Sequence, residues 1–425
     1  MKQIPYWLDT APPGPDYSQN DMPSLVDVAV VGGGLTGLSA ALHLARVGAS
    51  VALFEKDTIG FGASGRNGGM CTTGLTISFI KAIRQYGFPT ASQLFLTYNA
   101  AIDTVEKLVS DEDIDCDFAR TGKLNLAAKP DHYDALARTH ETLATRLGYE
   151  THLVPKSRLQ DEIGSRHYHG GMVDPQGAGL HVGKFVRGLA AAADRTGVSL
   201  HERTPLTTLR RVSGSIHDVV TSRGRVRASE VLVATNGYTG APLPWYRRRI
   251  VPVGSFIIVT EPLEGDLVEE LMPTRRMASD SKNLLYYFRI TPDQRMLFGG
   301  RARFAVSSPA SDLKSGRILQ QAMAKVFPQI AQHRVDYTWG GQVGMTLDRM
   351  PHAGEHEGVH YSMGYCGHGA QMATYMGRQM AEVIGGNPDA NPWRDFDFRA
   401  VPGHFGPPWF LPFVDAYYRL KDAIR

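Results

Sequence analysis

The sequence has few cysteines, no long apolar segment and almost no net charge. Three of its 425 residues are cysteines, Cys71, Cys116 and Cys366. They are too few and too scattered for a disulfide framework or a zinc site, which favours a reducing, cytoplasmic location and no bound metal. No apolar run reaches the roughly 18 residues of a membrane-spanning helix, and the N-terminus lacks the apolar core of an export signal. We therefore expect neither export nor membrane insertion.

The charges of the chain are balanced and scattered. It carries 45 Lys and Arg residues against 42 Asp and Glu residues, a formal net charge of +3. Because nucleic-acid binding needs a concentrated basic surface, we expect no nucleic-acid partner. Hydrophobic residues make up 43% of the chain, an ordinary share for a globular enzyme, and the length allows two domains.

Residues 26–55 carry the clearest pattern in the chain. A β-branched apolar run at 26–31 is followed by consecutive glycines and by an apolar helical pattern that ends near Gly48. A second apolar run at 50–54 finishes on Glu55. This order predicts a strand, a tight turn, a helix and a second strand within about 30 residues.

The glycine spacing in this stretch is typical of a dinucleotide-binding fold. Gly32 permits the sharp turn, Gly34 lets backbone N–H groups approach a pyrophosphate, and Gly37 lets the helix pack close to the sheet. The helix N-terminus then faces the phosphates, and Glu55 is placed to bind ribose hydroxyls and to repel a 2′-phosphate. A simple tight turn would also use these glycines, but the register of all the features favours a dinucleotide other than NADP.

A glycine-rich loop, residues 59–69, follows the predicted ribose-binding strand. It reads IGFGASGRNGG and offers many backbone donors, which favours a loop that covers the cofactor over an ordinary surface loop. Beyond it, the pattern predicts helices at 93–109 and 132–147, separated by an extended segment at 121–127. Helical material is thus inserted after the first nucleotide-type segment.

The rest of the chain alternates between nucleotide-type elements and antiparallel strands. We predict helices at 182–196, 312–327 and 369–384, and strands at 199–201, 230–238, 249–260, 284–290, 296–303, 335–341 and 359–363. The run VLVATNGY ends in polar residues, as does a strand whose carboxyl end lies beside a ligand. Residues 407–414, PPWFLPFV, are too short and proline-rich for a membrane anchor and predict a surface arm packed on the body.

Several of these motifs together resemble a known family. The glycine turn with its terminal acid, GASGRNGG, VLVATNGY, GMTLDRMP and the closing GYCGHG helix are similar, in this order, to the FAD-dependent D-amino-acid oxidase superfamily. The chain looks most like the branch that contains γ-glutamylputrescine oxidase, monomeric sarcosine oxidase and glycine oxidase. The resemblance extends over nearly the full length.

The resemblance implies an α/β fold, α+β overall. A glutathione-reductase-like Rossmann FAD domain would carry an inserted substrate domain with a mixed or antiparallel β-sheet. On this basis we assign residues 1–78, 165–245 and 335–400 to the FAD domain. Residues 79–164 and 246–334 would form the substrate domain, and residues 401–425 a C-terminal arm.

The resemblance also implies which residues contact FAD along its length. The expected cofactor-binding residues are Gly32, Gly34, Leu35, Thr36, Gly37, Glu55, Lys56, Gly62, Ala63, Ser64, Arg66, Asn67, Gly68, Thr235, Asn236, Gly344, Thr346, Asp348, Gly364, Gly367, His368 and Gly369. The cysteine that binds flavin covalently in sarcosine oxidases would fall near Gly341, so we expect non-covalent FAD. The last helix would point its N-terminus at the flavin pyrimidine ring, which favours hydride acceptance.

Three positions depart from the relatives that act on small amino acids. Gln371 stands where sarcosine oxidases place a lysine on the substrate carboxylate, and Val343 stands where glycine oxidase has an arginine. Leu297 lies near the place of the lysine that activates oxygen, which argues against rapid use of O2. The chain is therefore expected to oxidise the C–N bond of an amine or N-substituted amino compound to an imine, by hydride transfer to flavin followed by hydrolysis.

The alternatives are an oxidase or dehydrogenase of a small amino acid such as glycine, sarcosine or a D-amino acid, an NAD-dependent dehydrogenase, and a flavin-binding protein without catalysis. The expected partners are a small amine or amino acid and O2 or another electron acceptor.

Four residues are candidates for substrate contact or proton transfer. His368 is a candidate for assisting proton removal, and the alternative is a histidine held at a helix start. Gln371 could donate hydrogen bonds to a substrate. Tyr286 and Tyr287 point to opposite faces of a strand, so one at most reaches the substrate. If that residue is Tyr287, Arg289 could bind a distal carboxylate; if it is Tyr286, Arg289 is a surface charge. Cys366 is expected to serve packing.

Overall fold

The computed structural model describes residues 1–300 and 303–424. The helices are α1 Tyr6–Thr10, α2 Leu35–Arg46, α3 Phe79–Tyr86, α4 Phe88–Asp111, α5 Pro130–Leu147, α6 Val182–Arg195, α7 Pro244–Arg247, α8 Gly265–Leu271, α9 Pro309–Val326, α10 Gly369–Ile384 and α11 Leu411–Ile424. The strands are β1 Leu25–Val31, β2 Val51–Phe54, β3 Met70–Cys71, β4 Lys123–Leu126, β5 His152–Pro155, β6 Gly170–Asp174, β7 Ala178–Gly179, β8 Ser199–His201, β9 Leu206–Ser213, β10 Ile216–Thr221, β11 Gly224–Val233, β12 Val251–Thr260, β13 Met277–Asp280, β14 Tyr286–Ile290, β15 Met296–Gly300, β16 Val335–Met345, β17 His352–His356 and β18 Val359–Met363.

The first large sheet has the order β17-β18-β11-β1-β2-β8, with β10 and β9 added beside β11. Its central strands β11, β1, β2 and β8 run parallel, as in a Rossmann-type nucleotide-binding sheet. Alternate residues of β1 enter two different apolar clusters: Val28 and Val30 join the cluster that contains α2, α6 and α10, and Ala29 and Val31 join the other. The strand is therefore buried on both faces, which explains its continuous apolar run.

The second large sheet has the order β16-β12-β15-β14-β13-β4-β6-β5. Its pairs are antiparallel except β13 with β4, so it is a mixed sheet. Phe256, Phe288 and Phe298 pack beneath it with helix α9 residues such as Leu319. The opposite face, which includes Tyr287, turns towards the first sheet. This α/β architecture with a separate mixed sheet agrees with the expected fold class.

Most predicted elements are present, and their differences lie at the ends. The strands at 199–201 and 359–363 and the helix at 369–384 have the predicted bounds. The strand predicted at 335–341 continues to Met345, because its pairing with β12 extends to Val251. Residues 301 and 302, which belong to the strand predicted at 296–303, lie outside the described residues.

Some of the expected domain boundaries differ from the sheets that form. Strands β6 and β16 fall in the ranges assigned to the FAD domain, but both pair within the second sheet. Helix α4 falls in the range assigned to the substrate domain, yet its Ile102 and Val105 pack in the same cluster as α2 and α10. Sheet membership is decided by partners far away in sequence, which local patterns do not reveal.

The C-terminal residues end in helix α11. Leu411 packs with Val251, Val253 and Phe304 at the edge of the second sheet. The Asp422 carboxylate accepts hydrogen bonds from the backbone and side chain of residue 283. None of the helices in the described part of the chain has the length and apolar character needed to cross a membrane.

Candidate active site

The glycine turn between β1 and α2 forms a tight backbone cradle. Gly32 has a φ of +116°, and its N–H donates to the carbonyl oxygen of Phe54 at 2.9 Å. A Cβ atom on Gly37 would lie 2.0 Å from the carbonyl oxygen of Gly32, so only glycine allows α2 to approach the strand this closely. The first N–H groups of α2 therefore sit at the end of the parallel sheet, where they can bind an anion.

The glycine-rich loop at 59–69 lies directly over this turn. The backbone N–H of Leu35 donates to the Ser64 Oγ at 2.9 Å, and a Cβ atom on Gly34 would lie 2.7 Å from the same oxygen. Gly60 N–H donates to the carbonyl of Gly33 at 3.0 Å, which ties the start of the loop to the turn. The loop thus covers the helix N-terminus, as the sequence predicts.

The Glu55 carboxylate is fixed at the end of β2. Its Oε2 accepts the backbone N–H of Gly33 at 2.8 Å, and its Oε1 accepts that of Asp57 at 2.9 Å. Burial raises the pKa of Glu55, while these two hydrogen bonds oppose that shift. The carboxylate is oriented beside the glycine turn and keeps lone pairs for further donors.

A cavity of about 710 Å³ extends from this turn to the second sheet. Most of the predicted cofactor residues line it. These are Gly32, Gly34, Leu35, Thr36, Glu55, Lys56, Gly62, Ala63, Ser64, Arg66, Asn67, Gly68, Thr235, Asn236, Gly344, Gly367, His368 and Gly369. The structure therefore brings together residues from the start, middle and end of the chain.

Four of the predicted cofactor residues do not line the cavity. Gly37 packs against the turn, as described above. Thr346 donates to the carbonyl of Met350 at 2.9 Å, and the Asp348 carboxylate pairs with the His352 ring at 3.0 Å. Gly364 donates its N–H to the Asn236 Oδ1 at 3.0 Å. These residues shape the wall from behind, because each one bonds to a neighbouring loop rather than to the open space.

Asn236 joins three segments at the carboxyl end of the first sheet, the same end that carries the glycine turn. It has a φ of +42°, a conformation that asparagine tolerates better than most residues. Besides accepting from Gly364, its Oδ1 lies where a Cβ atom on Gly344 would come within 2.2 Å. Asn236 thereby fixes the end of β11 against the end of β16 and the turn before α10.

The turn before α10 places a helix N-terminus at the cavity. Gly367 has a φ of +104°, and α10 begins at Gly369 directly after His368. The His368 Nδ1 lies 3.3 Å from the Thr76 hydroxyl, and its ring contacts the edge of Tyr98. His368 is therefore held at the helix start and also lines the cavity, so both interpretations of this residue fit its position.

Cys366 also lines the cavity, although the sequence indicated packing alone. Its side chain is buried, and its Sγ lies 3.4 Å from the Thr346 hydroxyl. The backbone has a φ of +51° at this residue, within the tight turn before α10. All three cysteines are buried, and none of them forms a disulfide bond within the described residues.

Tyr287 is the aromatic residue of β14 that reaches the cavity. Its hydroxyl lies 3.2 Å from the Ser255 Oγ, and its ring lies beside Gly68 of the covering loop. Tyr286 instead packs on Phe298 beneath the sheet. The expected opposition of the two tyrosines is confirmed, with Tyr287 on the cavity side.

Arg289 shares the face of Tyr287 but does not reach the cavity. Its side chain is buried, and its guanidinium donates to the backbone carbonyls of Gly69 and Leu180. Burial lowers its pKa to about 10. This position does not support a role as a distal carboxylate anchor, because the guanidinium is held by carbonyls inside the protein. The surface-charge alternative applied only if Tyr286 faced the cavity.

Gln371 is likewise outside the cavity. It is fully buried on α10, and its Nε2 donates to the carbonyl of Thr72 at 2.6 Å. Val343 does line the cavity, whereas Leu297 is buried in the core beside it. The expectation that Gln371 contacts a substrate is not supported by its position.

A group of polar residues at the second-sheet end of the cavity was not predicted from the sequence. The lining there includes Lys123, Ser279, Ser281, Lys282, Asn283 and Arg349. Lys123 stands in the extended segment predicted at 121–127, but the local sequence does not indicate with which strands that segment pairs. Its pairing with β13 and β6 turns Lys123 towards the cavity.

Comparisons with known proteins identify the family. Residues 27–383 match the family described as FAD dependent oxidoreductase, or DAO. The chain belongs to this family. It is 33% identical over 407 residues to the gamma-glutamylputrescine oxidoreductase of Escherichia coli (strain K12), covering 94% of this chain and 93% of that protein.

More distant relatives agree with this assignment. The chain is 27% identical to the glycine oxidase of Geobacillus kaustophilus (strain HTA426), over 84% of this chain and 92% of the relative. The crystal structure of glycine oxidase from Geobacillus kaustophilus has a TM-score of 0.72 at 23% identity, and the match covers 90% of this chain and 100% of that one. The fold is therefore that of the family.

The protein is thus an FAD-dependent oxidoreductase, and its cavity fits the cofactor. The glycine turn offers the N–H groups of a helix start to a pyrophosphate, and Glu55 is fixed where ribose hydroxyls would lie. The continuous cavity then leads past Gly68 to the α10 N-terminus, which suits the flavin end. A side chain at Gly34 would fill the cradle next to Ser64.

Proposed function

We propose that this enzyme oxidises the C–N bond of an amine or an N-substituted amino compound, giving an imine that water hydrolyses. The observation that carries the proposal is the lack of a cation at two positions where relatives bind an α-carboxylate. Val343 lines the cavity with an apolar side chain, and Gln371 is turned away from it. An α-carboxylate without a charged partner in a buried site would be costly to bind.

The names of the relatives support the same class of substrate. The Escherichia coli relative is a gamma-glutamylputrescine oxidoreductase, and a more distant relative is a glycine oxidase. The closer match is to the protein named for an amine derivative. We therefore place the substrate among amines, and the small amino acids glycine and sarcosine among poor substrates.

Bound FAD supplies the chemistry by accepting a hydride from the carbon next to nitrogen. The residues of the chain orient the substrate and exclude water. The lining includes two contacting pairs, Tyr287 with Gly68 and Thr76 with His368. His368 is placed to take a proton from the amine, because the reacting nitrogen must be neutral.

The N-terminus of α10 provides electrostatic support. Gly369 and Ala370 line the cavity, and their N–H groups lie at the positive end of a 16-residue helix. Negative charge that develops near this end is stabilised by the helix start. This arrangement favours a reduced cofactor at this end of the cavity.

We also propose that FAD is bound without a covalent link. Gly341 stands near the position of the flavin-linked cysteine of sarcosine oxidases. It lines the cavity and has no side chain. Cys366 is the one cysteine of the described residues in the lining, and its sulfur contacts Thr346. Acid precipitation should therefore leave the flavin in the supernatant, and flavin that stays with the pellet would contradict this.

An anaerobic reaction with a panel of amines tests the proposed reaction. An amine substrate should bleach the visible flavin band and yield one aldehyde or ketone per flavin after hydrolysis of the imine. O2 or another acceptor would then restore the band. A panel of amines and amino acids that leaves the band unchanged would overturn the proposal.

A further inference from the structure

Lys123 lies on the side of the cavity that the second sheet forms. It is the first residue of β4, where it pairs with Met277 of β13 and with Asp174 of β6. Its side chain lines the same cavity as Tyr287 and Ser279. Register places these residues on one face, because Ser279 pairs with Tyr287 on one side and with Asn125, two residues after Lys123, on the other.

Lys123 differs from the other cations in the lining. Each of the other four has a partner within the protein. Lys56 lies over the Tyr238 ring, and Arg66 donates to the carbonyls of Phe61 and Gly340. Lys282 pairs with Asp280 at 2.9 Å, and Arg349 donates to the Tyr418 hydroxyl at 2.6 Å. Within residues 1–300 and 303–424, Lys123 has neither a hydrogen bond nor a salt bridge from its ammonium group. It is therefore a cation of the cavity that still needs an anion.

The surroundings of Lys123 strengthen this requirement. The turn at Gly177 covers its stem, since a Cβ atom there would lie 3.1 Å from the Lys123 Cβ. Burial lowers the pKa of Lys123, and the nearby Asp174 carboxylate opposes this shift only in part. The Asp174 Oδ1 already accepts from Tyr149 and from the backbone of Gln176. A half-buried ammonium that faces the cavity gains from a ligand carboxylate.

The position of Lys123 sets the distance between this anion site and the reacting end. Tyr287 and Lys123 stand on strands β14 and β4, with β13 between them. Two strand spacings, roughly 10 Å, combined with the two-residue offset of Lys123 along its strand, roughly 7 Å, separate the two Cα atoms by roughly 12 Å. Ser279 lies on the intervening strand, and its hydroxyl lines the path between them.

We propose that Lys123 binds a carboxylate of the substrate at the end remote from the carbon that is oxidised. The inference rests on the proposed amine oxidation, and it narrows the substrate to an elongated amino compound with a distal acid. The distal anchor expected at Arg289 moves to Lys123, because Lys123 faces the cavity and Arg289 does not. Lys123 is thus a specificity-determining residue.

The test compares the FAD-loaded wild type with Lys123→Met and Lys123→Arg. Aminocaproate and hexylamine serve as probes, because both present an amine on a six-carbon chain and only the first carries a distal acid. Equilibrium binding is measured by calorimetry, and anaerobic flavin reduction is measured in parallel. Lys123→Met should weaken aminocaproate binding roughly 10- to 100-fold and leave hexylamine binding nearly unchanged, and Lys123→Arg should retain most of the difference.

The readouts separate this inference from the proposed reaction. Selective loss of aminocaproate binding in Lys123→Met would support the anion site even if neither probe reduced the flavin, and that second result would count against the proposed reaction alone. Equal binding of aminocaproate to the wild type and Lys123→Met would overturn the anion site. The anion site would also be overturned if Lys123→Met bound aminocaproate and hexylamine more weakly by the same factor. The same holds if the substitution changed only the reoxidation of the flavin by O2. Flavin content and Tm check that the variants fold.

Discussion

The two ends of the cavity are built in different ways. The nucleotide end consists mainly of backbone from two neighbouring segments, the Gly32 turn and the loop that carries Ser64. The end proposed to hold the substrate consists of side chains such as Tyr287 and Lys123, which come from strands far apart in the chain. A backbone cradle tolerates few changes and binds one kind of ligand, whereas a wall of separate side chains can change its specificity residue by residue.

The largest expected effect is the loss of cofactor from Gly34→Val. A side chain here would collide with Ser64 and occupy the path of the pyrophosphate. The purified variant should contain almost no FAD by absorbance. Gly14→Val is the matched control, because a Cβ atom at Gly14 meets nothing within 4 Å. Full flavin occupancy in Gly34→Val would contradict the assignment of the turn.

A smaller effect, a loss of folding stability, is expected from the substitution of Asn236. Asn236→Ala removes the hydrogen bond to Gly364 and also places alanine at a φ of +42°. A lost buried hydrogen bond should cost about 1–3 kcal/mol of unfolding free energy, measured by denaturant titration of the FAD-loaded protein. Because glycine adopts this backbone conformation readily, Asn236→Gly measures the loss of the hydrogen bond separately from the backbone strain. A stability equal to the wild type in both variants would show that Asn236 does not join the segments.

The nucleotide end could be predicted from sequence because its signals are local. Gly32, Gly34 and Glu55 are close in the chain, and the local order of strand, turn, helix and strand predicts their place. Arg289 and Lys123 could not be assigned in this way, because their surroundings depend on strand pairing. Pairing with β13 brings Lys123 to the cavity, whereas Arg289 donates to the carbonyl of Gly69 inside the protein. Thr346, Asp348 and Gly364 were carried over from a family motif, yet their side chains or N–H groups bond to neighbouring loops instead.

A change confined to the substrate end should leave cofactor loading intact. Tyr287→Phe removes a hydroxyl that lies 3.2 Å from the Ser255 Oγ at the cavity wall. We expect kcat/KM for an amine to fall roughly threefold to tenfold, with normal flavin content. Tyr286→Phe is the control, because Tyr286 packs on the other face. Equal effects of the two substitutions would indicate a general loss of packing.

The last substitution concerns the acid sensitivity of the nucleotide-binding half. The His181 Nδ1 accepts the N–H of Lys184 at the start of α6, and burial lowers the His181 pKa from 6.5 to about 4. Between these values the unfolded chain binds more protons, so stability should fall as the pH drops from 6.5 towards 4. His181→Asn keeps an acceptor for the helix start without this titration. Its Tm should therefore vary less over this range, and an unchanged pH profile would exclude His181 as a cause.

The rate of anaerobic flavin reduction by different compounds tests the central claim most directly. Glycine, sarcosine, hexylamine and aminocaproate are mixed at equal concentration with the oxidised enzyme in a stopped-flow instrument. The lack of a cation at Val343 and the inward turn of Gln371 predict that the amines reduce the flavin faster than glycine or sarcosine, with aminocaproate the fastest. The account would be contradicted if glycine or sarcosine reduced the flavin faster than both hexylamine and aminocaproate.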